Sequence, residues 1–148
     1  RIVDGRNPIV AHEYLGTDLS GKDAIIIDDM ISSGESALDV AKELKKRNAN
    51  RIFLATTFGL FTNGLKAFDE AYEKCYFDKV ITTNLNYRIP DLLEKPYYAE
   101  ANMSKFLASI IDFMNHDLSL SNVLATTEKM QSILQAYNDR KQIDMDFA

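Results

Sequence analysis

The residues in this chain whose types and spacing could do chemistry are two adjacent carboxylates and a hydroxyl-rich loop. Asp28 and Asp29 stand side by side, and Ser32, Ser33, Gly34, Glu35 and Ser36 follow after two further residues. Such a loop offers unpaired backbone N–H groups and three serine hydroxyls, and where a helix begins on it the helix dipole adds positive potential, so it suits a phosphate. The carboxylates cannot serve that anion. They suit hydroxyl groups, or a metal ion carried on the same ligand. The ligand implied is a sugar phosphate.

Those residues need a strand before them and a helix after them. Ala24 to Ile27 is a short run rich in β-branched residues without helical spacing, which predicts a buried strand of a parallel sheet ending at the acidic pair. From Ser36 the spacing turns helical, with Ala37, Val40, Ala41 and Leu44 on one face. Two more strands are predicted at Arg51–Thr57 and Phe77–Thr83, with a helix from Leu65 to Tyr76 between them. Their ends are polar as well: Thr56, Thr57 and Gly59 on one, Thr82, Thr83 and Asn84 on the other. Three strand-to-helix units in tandem predict an α/β fold, a doubly wound and mainly parallel sheet flanked by helices, with ligands at the C-terminal ends of the strands.

The flanking segments read more simply. Arg1–Asn7 is a polar loop, Ile9–Leu15 a half-apolar stretch that suits a strand, and Gly16–Asp23 a turn. Toward the other end, a helix is predicted over Ala99–Asn115 that buries Met103, Phe106, Leu107, Ile110, Ile111 and Met114. His116 would cap its end, a second helix would run from Leu120 to about Arg140, and residues 141–148 would form a flexible tail. The 148 residues suit a single domain.

Composition excludes several classes. A net charge of −5, with Lys45-Lys46-Arg47 the densest basic run, argues against nucleic-acid binding; those three complement a helix C-terminus instead. No apolar stretch reaches the length of a membrane span and no signal-peptide pattern is present, which fits a cytoplasmic protein. The single cysteine, Cys75, excludes an internal disulfide and falls on one helical face with Leu65, Phe68 and Tyr72, so it is expected in the core.

Rival motifs fail on context. Gly16, Gly21 and Lys22 have the spacing of a nucleotide-binding P-loop, but Asp23 stands where Ser or Thr is needed and a strand follows where a helix is needed. A phosphoacceptor domain would need a third aspartate at a strand end; Asp69 lies in a predicted helix and Asp78 begins a strand. Gly34 stands alone where a dinucleotide fold needs three glycines, and metal-type His/Cys spacing is absent.

The strand, the Asp28-Asp29 pair and the Ser/Gly loop together resemble the phosphoribosyl-pyrophosphate loop of the type I phosphoribosyltransferase fold. The rest of the chain is similar to the C-terminal half of the ribose-phosphate pyrophosphokinases. That likeness is carried by Asn7–Gly16, by Gly21-Lys22 ahead of the loop strand, by Thr57–Gly64, which resembles a Thr-His-Gly-x-Phe-Ser-Gly segment, and by Val80–Asn84, which resembles a strand ending in Thr-Asp-Thr. The resemblance implies transfer of the β,γ-pyrophosphoryl group of magnesium-bound ATP to the anomeric hydroxyl of ribose 5-phosphate, giving phosphoribosyl pyrophosphate and AMP. Ser32, Ser33, Gly34, Glu35 and Ser36 would hold the 5-phosphate, with the Glu35 side chain turned to solvent. Asp28 and Asp29 would take the ribose hydroxyls or the Mg2+ on them.

Three departures accompany the likeness. Ser32-Ser33 stands for the family's Asp-Thr, Phe58 for a histidine, and Asn84 for an aspartate. The family's ATP-binding groups and its catalytic Lys-Arg-Arg loop would lie before Arg1, with residues 1–7 the tail of that loop, so this chain without its N-terminal half is expected to bind weakly and to be inactive alone. The resemblance also implies a homo-oligomer. The competing readings are a nucleobase phosphoribosyltransferase using the same loop in the reverse sense, and a non-catalytic regulatory paralogue.

Overall fold

The structure is a computed structural model that describes residues 16–146. The segments expected as a loop at 1–7 and a strand at 9–15 lie outside the described residues, as do residues 147 and 148 at the end of the expected tail.

Through Met103 the chain alternates strand and helix: β1 (Ala24–Ile31), α1 (Glu35–Lys46), β2 (Ile52–Gly59), α2 (Lys66–Glu73), β3 (Lys79–Thr83), α3 (Pro90–Leu93) and β4 (Tyr98–Ala101). The four strands form one sheet in the order β1-β2-β3-β4, every pair parallel. This is the expected α/β class with a parallel sheet flanked by helices. Because the strands are parallel and the crossovers return to the same starting edge, the loops after β1, β2 and β3 share one edge of the sheet.

Apolar side chains from the sheet and helices build the core: Ile52, Leu54, Val80 and Ala41 are buried, together with Leu92 and Phe77. Beneath the loop edge the core is aromatic. Phe68 meets Phe61 edge-on at 5.0 Å between ring centroids and Phe77 at 6.2 Å, and Phe77 meets Tyr97 at 5.4 Å. Each buried ring of this size is worth about 2–3 kcal/mol in burial, with edge-on contact adding about 1 kcal/mol. The Tyr97 hydroxyl donates to Asp69 on α2 at 2.8 Å, and Lys95 pairs with the same carboxylate at 2.8 Å. Burial pushes the Asp69 carboxyl up, but the bonds from Lys95 and Tyr97 outweigh it and hold the group below the ordinary carboxylate range. Burial first, and Asp69 second, push the Tyr97 phenol up.

Several boundaries differ from expectation. β1 continues two residues past Asp29 to Ile31, but the pairing ladder passes from Asp28–Thr56 to Met30–Phe58 without Asp29. Burial on β2 follows Ile52, Leu54, Thr56 and then Gly59, a one-residue slip in alternation at the level of the acidic pair. α2 ends at Glu73, so Cys75 lies beyond it at φ 56° and is exposed, not in the core. Tyr98–Ala101 is β4, paired with β3 from Val80–Tyr98 to Thr83–Ala101, where the first turn of a helix was expected from Ala99.

From Ser104 onward the chain is a second compact unit. It contains α4 (Ser104–Asn115), α5 (Ser121–Leu124) and α6 (Thr126–Asp146). The face of α4 expected to be buried is not: no residue of this helix is buried, and Leu107, Ile111 and Met114 are exposed. His116 takes the capping role, its Nδ1–H donating to the Asp112 carbonyl at 2.9 Å. A break at Ala125 divides the expected last helix in two, and α6 continues past Arg140 to Asp146. Along α6, Met130, Ile133, Leu134 and Tyr137 form an exposed apolar stripe.

Candidate functional site

Gly34 decides the shape of the loop after β1. It precedes the first residue of α1 in the left-handed region, at φ 88°, where a side chain is strained. A Cβ there would lie 2.3 Å from the ring of Phe68, so the loop backbone rests directly on the aromatic core. The loop is also tied to the segment after β2. Leu60 N–H donates to the Ile31 carbonyl at 2.8 Å, and Thr62 N–H to the Ser32 carbonyl at 2.9 Å.

Held this way, the loop presents donors outward. Glycine at the N-cap makes no side-chain capping bond. Among the described residues the N–H groups of Gly34, Ser36 and Ala37 have no acceptor, as the first turn of a helix leaves them. Glu35 N–H reaches the Ser33 hydroxyl only at 3.5 Å. The Ser32 and Ser36 hydroxyls are exposed, and so is the Glu35 side chain, as a neighbouring anion requires. Free N–H groups, hydroxyls and the helix dipole at one point can hold a phosphate-sized anion.

Asp28 and Asp29 are both exposed at the same edge, and Asp29 N–H donates to Asp28 Oδ1 at 2.8 Å. Neither carboxylate forms an ion pair among the described residues, which leaves both available to a ligand. A hollow of about 220 Å³ opens beside Asp28, lined by Ile27, Ala55, Ile81, Thr57 and Thr83 among others. Among the described residues no third acidic, His or Cys side chain completes a protein-only metal cluster. Two carboxylates, with the other positions filled by ligand oxygens and water, are nevertheless a donor set that magnesium takes, so these residues fit the ion.

The ends of β2 and β3 lie on the same edge with a different disposition. The Thr82 hydroxyl lies 2.9 Å from the Tyr98 hydroxyl, and Thr83 Oγ1 donates to the Thr57 carbonyl at 2.6 Å. Asn84 accepts from Met103 N–H at 2.7 Å and donates to Asn102 Oδ1 at 3.2 Å, clasping the end of β3 to that of β4. The departure at Asn84 is thus absorbed structurally: its amide donor meets the acceptor of Asn102. Asp69 and Asp78 are structural too, the latter accepting Ile52 N–H at 2.8 Å. Phe58 and its ladder neighbour Met30 are exposed beside the acidic pair. Of the supporting residues, Phe68 is read in the sequence only as part of a helical core face, and Asn86 and Asn102 carry no spacing signal.

A family model described as the phosphoribosyl synthetase-associated domain matches residues 7–125. The chain belongs to that family. A ribose-phosphate pyrophosphokinase of Shewanella oneidensis is 32% identical over 123 residues, covering 81% of this chain and 38% of the relative. One from Mycoplasmopsis pulmonis is 30% identical over 117 residues, covering 76% and 35%. The phosphoribosylpyrophosphate synthetase structure from Mycobacterium smegmatis superposes with a TM-score of 0.60 at 24% identity, over 69% of this chain and 33% of that one, a likeness of fold. The domain therefore spans little more than a third of the relatives' length. No described helix is long and apolar enough to cross a membrane.

Proposed function

We propose that this domain is the ribose 5-phosphate and phosphoribosyl pyrophosphate-binding part of a cytoplasmic ribose-phosphate pyrophosphokinase. The observation that carries the reading is the pairing of a donor-bearing loop with unpaired carboxylates at one strand end. The 5-phosphate sits on the N–H groups of Gly34, Ser36 and Ala37, with the hydroxyls of Ser32, Ser33 and Ser36 assisting. The ribose occupies the hollow beside Asp28, its hydroxyls and a Mg2+ ion on Asp28 and Asp29. ATP is the co-substrate of the full-length enzyme, in which positioning and charge neutralisation do most of the work of pyrophosphoryl transfer. Magnesium supplies that neutralisation when bound. The enzyme is a homo-oligomer.

A second reading, a non-catalytic regulatory paralogue, is favoured by the exposed apolar Phe58 and by Ser32, which stands where the resembled loop carries a carboxylate. One pair of experiments separates the two. Calorimetric titration of the domain with ribose 5-phosphate, with and without magnesium, is expected to show binding that magnesium strengthens; no binding in either case contradicts the proposal. AMP formation from ATP and ribose 5-phosphate by the full-length enzyme supports the kinase, and its absence with sugar-phosphate binding retained supports the paralogue.

A further inference from the structure

Asn86 lies in the loop between β3 and α3, two residues beyond the clasp made by Asn84. Its Nδ2 donates to the Gly59 carbonyl at 2.8 Å and to the Tyr87 carbonyl at 3.1 Å, so one amide ties its own loop to the end of β2. Among the described residues its Oδ1 is buried and meets no donor. An apolar side chain would avoid that burial penalty, so the residue is better suited to holding Gly59 in place than to general stability. Gly59 is itself closely confined: a Cβ there would lie 2.7 Å from the Phe61 ring and 2.8 Å from Thr82 Cγ2.

The connection continues toward the phosphate loop. Leu60 follows Gly59 directly and donates to the Ile31 carbonyl, and Thr62 donates to the Ser32 carbonyl. Three hydrogen bonds joined by the covalent segment Gly59–Thr62 thus link Asn86 to Ile31, the last residue of β1, and to Ser32, the first of the loop. We infer that Asn86 is a positioning residue for that loop, acting through the Gly59 carbonyl and the segment after β2. It sets where the loop's N–H groups stand, and the physical means is the segment Gly59–Thr62, bonded to Asn86 on one side and to Ile31 and Ser32 on the other.

The test is amide hydrogen exchange in the 148-residue chain, reading Leu60 and Thr62 against Ile52 and Val80 in the same molecule. The last two donate to Asp78 and to the Tyr97 carbonyl, outside the run, so dividing by their rates removes any general loss of stability. Asn86→Ala is expected to raise the Leu60 and Thr62 rates relative to the reference amides about tenfold. Asn86→Gln, which keeps the amide, is expected to recover part of the protection, and Tyr87→Ala, which removes an exposed ring, to leave it unchanged. Leu60 and Thr62 rates that rise no more than those of Ile52 and Val80 overturn the inference. A second readout rests on the sugar-phosphate reading: Asn86→Ala is expected to weaken ribose 5-phosphate binding about three- to tenfold. If the unaltered chain binds no ribose 5-phosphate, that reading fails while the exchange result still decides the role of Asn86.

Discussion

The ends of β1 and β3 lie on the same edge of one sheet and are both polar, yet they are disposed oppositely. At the end of β3 the polar groups are engaged by neighbours: Thr82 with Tyr98, Thr83 with Thr57, Asn84 with Asn102 and Met103, Asn86 with Gly59. At the end of β1 the acidic pair makes one short-range bond, and the N–H groups of Gly34, Ser36 and Ala37 make none among the described residues. Polar residues at a strand end are thus no guide to a binding site until their partners are known. Groups already satisfied hold the fold, and groups held in place but unsatisfied are left for a ligand.

The largest effect is expected where the β1 loop meets the core. Gly34→Ala places a methyl group against Phe68 at a backbone angle that disfavours it, and is expected to cost about 2–4 kcal/mol, read by urea unfolding. Next comes the acidic pair. Asp28→Asn with Asp29→Asn is expected to weaken ribose 5-phosphate binding in magnesium at least about tenfold while changing stability by less than about 0.5 kcal/mol, because both side chains are exposed. Asn84→Asp should show the inverse. Replacing the donor that faces Asn102 with a carboxylate is expected to cost about 1 kcal/mol of stability and to leave ribose 5-phosphate affinity within about twofold.

The smallest effect is one of pH on the support beneath both ends. Because Asp69 titrates lower in the folded chain than its ordinary value of 3.8, its contribution is present above that value and is lost as pH falls through the lowered one. Asp69→Asn is expected to flatten that acid limb, measured as the unfolding midpoint between pH 5 and pH 2, about the window in which a lowered carboxylate titrates.

The order of elements in the β1 unit was legible in the sequence because each of its signals is local, but the strand is not buried as expected: Ile25 and Ile27 are exposed. A β-branched run, an acidic pair, small residues and a helical repeat follow one another within about twenty positions, and the parallel α/β class follows from the repeats of that unit. β4 was hidden because Ala99-Glu100-Ala101 favours helix and runs directly into α4; pairing with β3 overrides that preference. Cys75 was misplaced because helical spacing continues through Tyr76 although the hydrogen-bonded helix stops at Glu73. The apolar face of α4 has the periodicity of a buried stripe, and periodicity reports which residues share a face without reporting what covers it. The approach of Phe68 to Gly34, the Asn84–Asn102 clasp and the reach of Asn86 to Gly59 join residues between 18 and 34 positions apart, contacts made by the tertiary fold alone.

Backbone amide shifts followed by NMR during titration with ribose 5-phosphate and magnesium test the contrast between the two strand ends most directly. The expected result is movement concentrated at Asp28, Asp29 and Ser32–Ala37, with Thr82, Asn84 and Asn86 nearly still. Movement centred on Thr82–Asn86, with the loop after β1 unmoved, would contradict it.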